Sequence, residues 1–178
     1  HRIDDQDING GVPIRGGDGI TIGDIDGDGL ADLVTAHEDS NHIRLAFWNG
    51  HTDEWTLRTI AEGKPAGAVE DIALIDLNAD GYLDVVAACE DAHLLYLQNP
   101  GQRARAGKWS ALIPEFSKGR GSWLRVFATD IDGDGRAELT AANKGTADVV
   151  RLEAGDTDNG ATSLIRVVGN PLESESWR

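Results

Sequence analysis

Apolar residues in this chain come in short runs, several alternating with polar ones, and no helical 3.6-residue period lasts beyond about ten residues. Residues 19–23 (Gly-Ile-Thr-Ile-Gly), 71–75 (Asp-Ile-Ala-Leu-Ile) and 124–128 (Leu-Arg-Val-Phe-Ala) read as equivalent strands. Each precedes an Asp- and Gly-rich stretch and then a second β-type run, at 33–36, 85–88 and 139–142. A third run follows at 42–48 and 93–97, and 163–168 is the expected equivalent in the last unit. Asn-bearing turns close these runs: Asn49-Gly50, Asn99-Pro100-Gly101 and Gly169-Asn170-Pro171. Trp55, Trp109 and Trp177 come next, and 55–60 and 109–113 read as fourth strands.

One unit of four antiparallel strands is therefore written three times. Sheets of this kind, repeated every 50 or so residues, are the pattern of propeller blades, which close into rings and so hide their faces and edges. The expected fold is all-β, with blades over 4–60, 61–113 and 114–178 and an insertion at 143–162 in the third. Within that insertion, 147–152 reads as a small hairpin at the rim. His1-Arg2-Ile3 resembles the tail of a fourth strand, and Trp177-Arg178 the start of another. The expectation is three blades of a larger ring, completed by further chain or by neighbouring chains.

The chemistry lies between the first and second strands. Three segments align without gaps, their first residues Asp24, Asp76 and Asp130 lying 52 and 54 positions apart. Side-chain oxygens recur at positions 1, 3, 5 and 9: Asp24, Asp26, Asp28 and Asp32; Asp76, Asn78, Asp80 and Asp84; Asp130, Asp132, Asp134 and Glu138. Position 7, held by Leu30, Tyr82 and Arg136, offers a backbone carbonyl. Ca²⁺ takes six to eight oxygens, so a short stretch must deliver several at once; Mg²⁺ demands a tighter octahedron. Gly29, Gly81 and Gly135 follow position 5, where the chain has to turn sharply. An EF-hand needs an acid at position 12 and flanking helices. Thr35, Ala87 and Ala141 stand there, between strands, so that motif is rejected. About three Ca²⁺, one per loop, are expected.

Charge sharpens this reading. The 178 residues carry 31 acids against 16 Lys and Arg, a net charge of −15, and eleven of those acids lie in the three loops. Such a surface repels nucleic acid and anionic membrane. No run approaches the roughly 18 apolar residues of a membrane-spanning helix, so neither nucleic acid nor membrane insertion is expected. Cys89 is the single cysteine, which excludes an internal disulfide framework.

The three Asp loops with their flanking strands, residues 22–34, 75–86 and 129–139, resemble the FG-GAP/VCBS repeat family of calcium-loop propellers, which includes the integrin α-subunit head. The resemblance implies calcium acting as a staple between the first two strands. It also implies a secreted protein in a fold that is often seven-bladed. Members serve as adhesion modules, carbohydrate-binding modules or polysaccharide lyases, so the fold leaves the activity open.

If the Asp loops occupy one end of the blades, the remaining loops share the other. There the sequence gathers Arg15, Asp18, His37, Glu38, Glu70, Asp71, Glu90, His93, Arg120, Trp123 and Lys144. Mixed charges with one aromatic suit a polar ligand such as a glycan. No nucleophile elbow, P-loop, zinc motif or dinucleotide fingerprint occurs, and no catalytic residue is assigned. The leading expectation is an extracellular, periplasmic or cell-surface module that binds glycan or protein. The alternatives are part of a polysaccharide lyase or hydrolase, and a structural subunit of a ring or filament.

Overall fold

A computed structural model describes residues 8–9, 12–51, 55–144, 149–154 and 165–169. A two-stranded ribbon, β1 (Ile8–Asn9) with β2 (Val12–Pro13), precedes three four-stranded antiparallel sheets. The first sheet is β3 (Gly17–Gly23), β4 (Asp32–His37), β5 (His42–Trp48) and β6 (Trp55–Glu62). The second is β7 (Val69–Ile75), β8 (Asp84–Cys89), β9 (His93–Gln98) and β10 (Ser110–Leu112). The third is β11 (Trp123–Thr129), β12 (Glu138–Asn143), β13 (Val149–Ala154) and β14 (Ile165–Gly169). Each sheet is a simple up-and-down meander in chain order. Among the described residues no helix is long and apolar enough to cross a membrane.

The third blade corrects one expectation. Residues 149–154, placed by the sequence reading inside an insertion and at a rim hairpin, form its third strand, with Ala142 opposite Val149 and Leu139 opposite Leu152. The segment expected as the third strand, 163–168, instead contributes β14, the fourth, with Leu152 opposite Val167. A short reversal between adjacent antiparallel strands closes at lower entropic cost than a twenty-residue excursion. The longer connection therefore falls between the third and fourth strands. The expected strand fragments at 1–3 and 177–178 lie outside the described residues, as does Trp177.

Period-two alternation explains how the sheets stack. In β8, Val85, Ala87 and Cys89 face the first blade and join Val34, Ile43, Leu45 and Phe47 in one core. Val86 and Ala88 face the other way and meet Trp123, Val126, Leu139 and Ala141 of the third blade. All six residues of β8 are buried, which is why Val85 to Cys89, after Asp84, read as an unbroken apolar run. The first strands lie side by side, with β7 between β3 and β11.

Pairing registers make Ile20, Ile72 and Val126 equivalent, each one position beyond a bulge in its first strand. Ile72 packs on the first blade and Val126 on the second. Ile20, with no preceding blade among the described residues, is 68% exposed, and Ile22 beside it is 64% exposed. On the opposite flank, Phe127 of β11 is 54% exposed.

Gly19 marks the closest approach of β3 to β7. A Cβ there would lie 3.1 Å from Asp71 Cα, 3.1 Å from Ala36 Cβ and 3.3 Å from Ile72 Cγ1. The backbone of β7 cannot yield as a side-chain tip would. Gly19→Val is expected to cost about 1–3 kcal/mol, read as a lowered urea midpoint; an unchanged midpoint would show that the two strands separate freely.

Candidate metal loops and the opposite rim

The Asp loops fold around their own carboxylates. In the first, Asp24 accepts the N–H of Gly27 on Oδ1 and of Gly29 on Oδ2, both at 2.9 Å. Asp26 Oδ1 accepts Asp28 N–H at 3.2 Å, and Asp28 Oδ1 accepts Leu30 N–H at 2.9 Å. The third loop repeats this bond for bond. Asp130 takes Gly133 and Gly135 at 2.7 and 2.9 Å, Asp132 takes Asp134 at 3.2 Å, and Asp134 takes Arg136 at 2.8 Å. In the second loop Asp76 takes the N–H groups of Asp80 and Gly81 at 3.0 and 2.9 Å, and Asp80 takes that of Tyr82 at 3.0 Å. There the Asn78 amide also donates to Asp80 Oδ2 at 2.9 Å.

Two residues per loop adopt left-handed backbone. Gly29, Gly81 and Gly135 have φ of 86°, 88° and 90°; position 4 does so as well, at Gly27 (76°), Ala79 (57°) and Gly133 (79°). The sequence reading singled out only the first set. Glycine at position 4 in two of three loops was the available signal. Ala79 carries a Cβ in a conformation that disfavours one.

These bonds draw carboxylate oxygens together. One oxygen from each of Asp24, Asp26 and Asp28 lies within 4.8 Å of the others, and so do those of Asp130, Asp132, Asp134 and Glu138. Clustered hard oxygens with left-handed turns between them fit Ca²⁺ by donor chemistry. Position 9 has a second duty. Asp32 is fully buried, with Oδ2 accepting Ile25 N–H at 3.1 Å and Oδ1 accepting Trp48 N–H at 3.0 Å. Asp84 accepts Leu77 N–H at 3.2 Å, Asn99 N–H at 2.8 Å and the Tyr96 hydroxyl at 2.9 Å. Glu138 accepts Ile131 N–H at 2.8 Å. Burial pushes the Asp32 carboxyl above its ordinary value and Asp84 up to about 6, against the pull of those hydrogen bonds. At this position the acid braces the root of the loop.

Side chains other than the acids tie the loops and their neighbouring segments together. Buried Asn99 donates from Nδ2 to Ile25 O in the first loop at 2.7 Å and to Leu83 O at 2.9 Å, and accepts Gly101 N–H at 2.9 Å. The Tyr82 ring lies against Gly27 and Gly101, where an added Cβ would come within 3.3 and 3.1 Å of it. Arg58 of β6 donates to the carbonyls of Ala104 and Gly107. Arg105 donates to Asp26 and Asp28. None of these roles was read from the sequence. A cavity of about 560 Å³ opens between the second and third loops, lined by Asp76, Asp132, Asp134 and Arg136 among others.

At the opposite end the structure unites some of the expected ligand-face residues and withdraws others. Glu38, Glu70 and Glu90 bring carboxylate oxygens within 4.8 Å of one another. Arg125 Nη1 stands 3.9 Å from Glu70 Oε2. Arg15, Asp18, Arg120 and Lys144 are exposed, and His37 is half-buried with Nε2 2.9 Å from Thr35 Oγ1. Asp71 is a strut: Oδ2 accepts Val126 N–H of the next blade at 3.1 Å. Trp123 is corrected outright. It is 0% exposed in the second core, with Nε1 donating to Ser117 O at 3.0 Å. His93 is buried too, its ring nitrogens 2.8 Å from Pro65 O and 3.2 Å from Asp91 O. Both open strands whose apolar neighbours pack inward, and that placement carried them into the core.

Burial first, then the charges of Glu38, Glu90 and Asp18, raise the Glu70 pKa above its ordinary 4.5, with Arg125 opposing. The folded chain thus holds this proton more tightly than the unfolded chain, so ionising Glu70 costs stability. Glu70→Gln is expected to raise Tm at pH 7 by about 2 °C. The gain should shrink as pH falls through the folded pKa towards 4.5. A lowered Tm, or a gain that ignores pH, would contradict this.

Comparison with known proteins agrees with the geometry. An FG-GAP-like repeat model matches twice, over residues 24–87 and 76–141. Each match begins at the first Asp of a loop and ends in the second strand of the following blade. No curated protein matches the chain. With its Asp loops and four-stranded propeller-type blades, the chain belongs to the FG-GAP-like repeat family.

Proposed function

We propose that this is a calcium-stapled propeller module that binds glycan or protein outside the cytoplasm. The observation that carries the reading is the convergence of carboxylate oxygens in the first and third loops, with loop amides holding both oxygens of Asp24 and Asp130 and one each of Asp26, Asp28, Asp132 and Asp134. Exposed acidic loops of this kind suit the weak end of calcium affinity, about 10⁻⁴–10⁻³ M, which is filled where calcium is millimolar. That supports a secreted, periplasmic or cell-surface location. Each ion staples a first strand to a second and leaves the opposite rim, with its mixed charges, for a polar ligand. Binding is favoured over lyase or hydrolase chemistry by the burial of His93, which withdraws that imidazole from the rim.

A second reading, assembly with neighbouring blades of the same kind, has its own support. Ile20 and Ile22 on one flank and Phe127 on the other are apolar surfaces equivalent to ones that other blades cover here. Such faces are costly to leave in water.

At one to ten times Kd, which a millimolar concentration reaches for such sites, calcium stabilises a folded protein by about 0.4–1.4 kcal/mol per site, a Tm rise of roughly 1–5 °C per site at this size. Differential scanning calorimetry in millimolar CaCl₂ and in EDTA is expected to show at least that difference. Asp130→Asn should remove part of it, and Mg²⁺ should substitute poorly. Identical melts in both buffers would refute calcium stapling. For the second reading, analytical ultracentrifugation of the purified chain is expected to show species heavier than 19.0 kDa; a clean monomer would reject it.

A further inference from the structure

Arg105 belongs to the second blade, in the segment after the 3₁₀ turn Gly101–Arg103, yet its guanidinium lies on the acidic loop of the first. Nε donates to Asp26 Oδ2, and Nη2 donates to Asp28 Oδ2 at 2.9 Å and to Trp48 O at 3.3 Å. Nη1 donates to Asn49 Oδ1, and Cζ sits 5.1 Å from the centroid of the Phe47 ring. Together these contacts hold the planar fork at a fixed place over the loop.

The choice of oxygens matters. Asp26 and Asp28 each commit Oδ1 to a loop amide, from Asp28 and Leu30 respectively. Arg105 takes Oδ2 of both, so every oxygen of these two carboxylates has a donor. A guanidinium and a calcium ion would thus draw on the same two carboxylates. Asp26 and Asp28 also line a cavity of about 440 Å³ with Arg105, Asn49 and Gln102, so there is room beside the guanidinium for exchange.

We infer that Arg105 sets the calcium affinity of the first loop, acting as an internal cation that holds Asp26 and Asp28 until Ca²⁺ takes those carboxylates. This rests on the calcium reading proposed above. Without metal, Arg105 neutralises two crowded carboxylates and ties the first loop to the second blade. With metal, its positive charge beside the dication weakens binding, and it retains Asn49, Trp48 O and the Phe47 face as alternative partners.

The test is a calcium titration of the full chain followed by amide NMR. Gly27 and Gly29 report the first loop and Gly133 and Gly135 the third, because each donates to the leading Asp of its loop. Arg105→Gln is expected to tighten the midpoint at Gly27 and Gly29 at least about tenfold, the scale of removing one charge beside a dication. The midpoint at Gly133 and Gly135 should stay put, and the Tm in EDTA should fall. In the unsubstituted chain the Arg105 Nε–H resonance should move with the same midpoint as Gly29, a readout that does not depend on the variant folding. An unchanged or weaker midpoint in Arg105→Gln, or a stationary Nε–H while Gly29 titrates, would overturn the inference and leave calcium binding intact. No amide shift in any loop up to about 10 mM CaCl₂ would overturn the calcium reading and this inference together.

Discussion

A carboxylate taken out of water at the root of each acidic loop is the constraint on which the rest depends. Burying an ionised acid is costly unless strong donors surround it. Asp32 meets backbone N–H groups from Ile25 and Trp48, and Asp84 meets those of Leu77 and Asn99 plus the Tyr96 hydroxyl. Those donors come from both the loop and the end of the third strand. The buried acid therefore ties the second strand, which carries it, to the loop and to the end of the third strand.

Blade stacking supplies the second layer of order. β8 is apolar on both faces, and its two faces feed two separate cores. Polar struts run alongside: Asn99 to Ile25, Arg58 to Ala104, Ala68 N–H to Asn41, Asp71 to Val126 and Ser117 to Leu94. Apolar contact brings neighbouring sheets together, while these directional bonds choose their register. At the acidic loops the two tasks merge, because the residues that dock the second blade also touch the first blade's carboxylates.

Much of this was legible in the chain. The spacing of Asp24, Asp76 and Asp130 marks the repeat, and the runs on either side of each loop mark the first and second strands, because both signals are local. What escaped depends on distant partners. Asn99 looks like a turn residue until Ile25, 74 positions away, is found against it. Arg105 looks like one more surface cation until it is seen to reach Asp26 across 79 positions. Trp123 and His93 were expected at the rim because they border loops, but tertiary packing decides which way a strand's first residue faces. In the third blade the run at 149–152 is interrupted by Arg151, and its pairing with β12 is a tertiary fact that a local pattern does not carry.

Cys89, the one thiol of the chain, closes β8 in the core shared by the first two blades. Burial pushes its pKa up to about 12, so in the intact molecule it is shielded from alkylating reagents and almost wholly un-ionised. Any modification must wait for the seam between those blades to part. The chain thus carries a native clock, and the rate at which a thiol reagent is consumed measures how often that seam breathes.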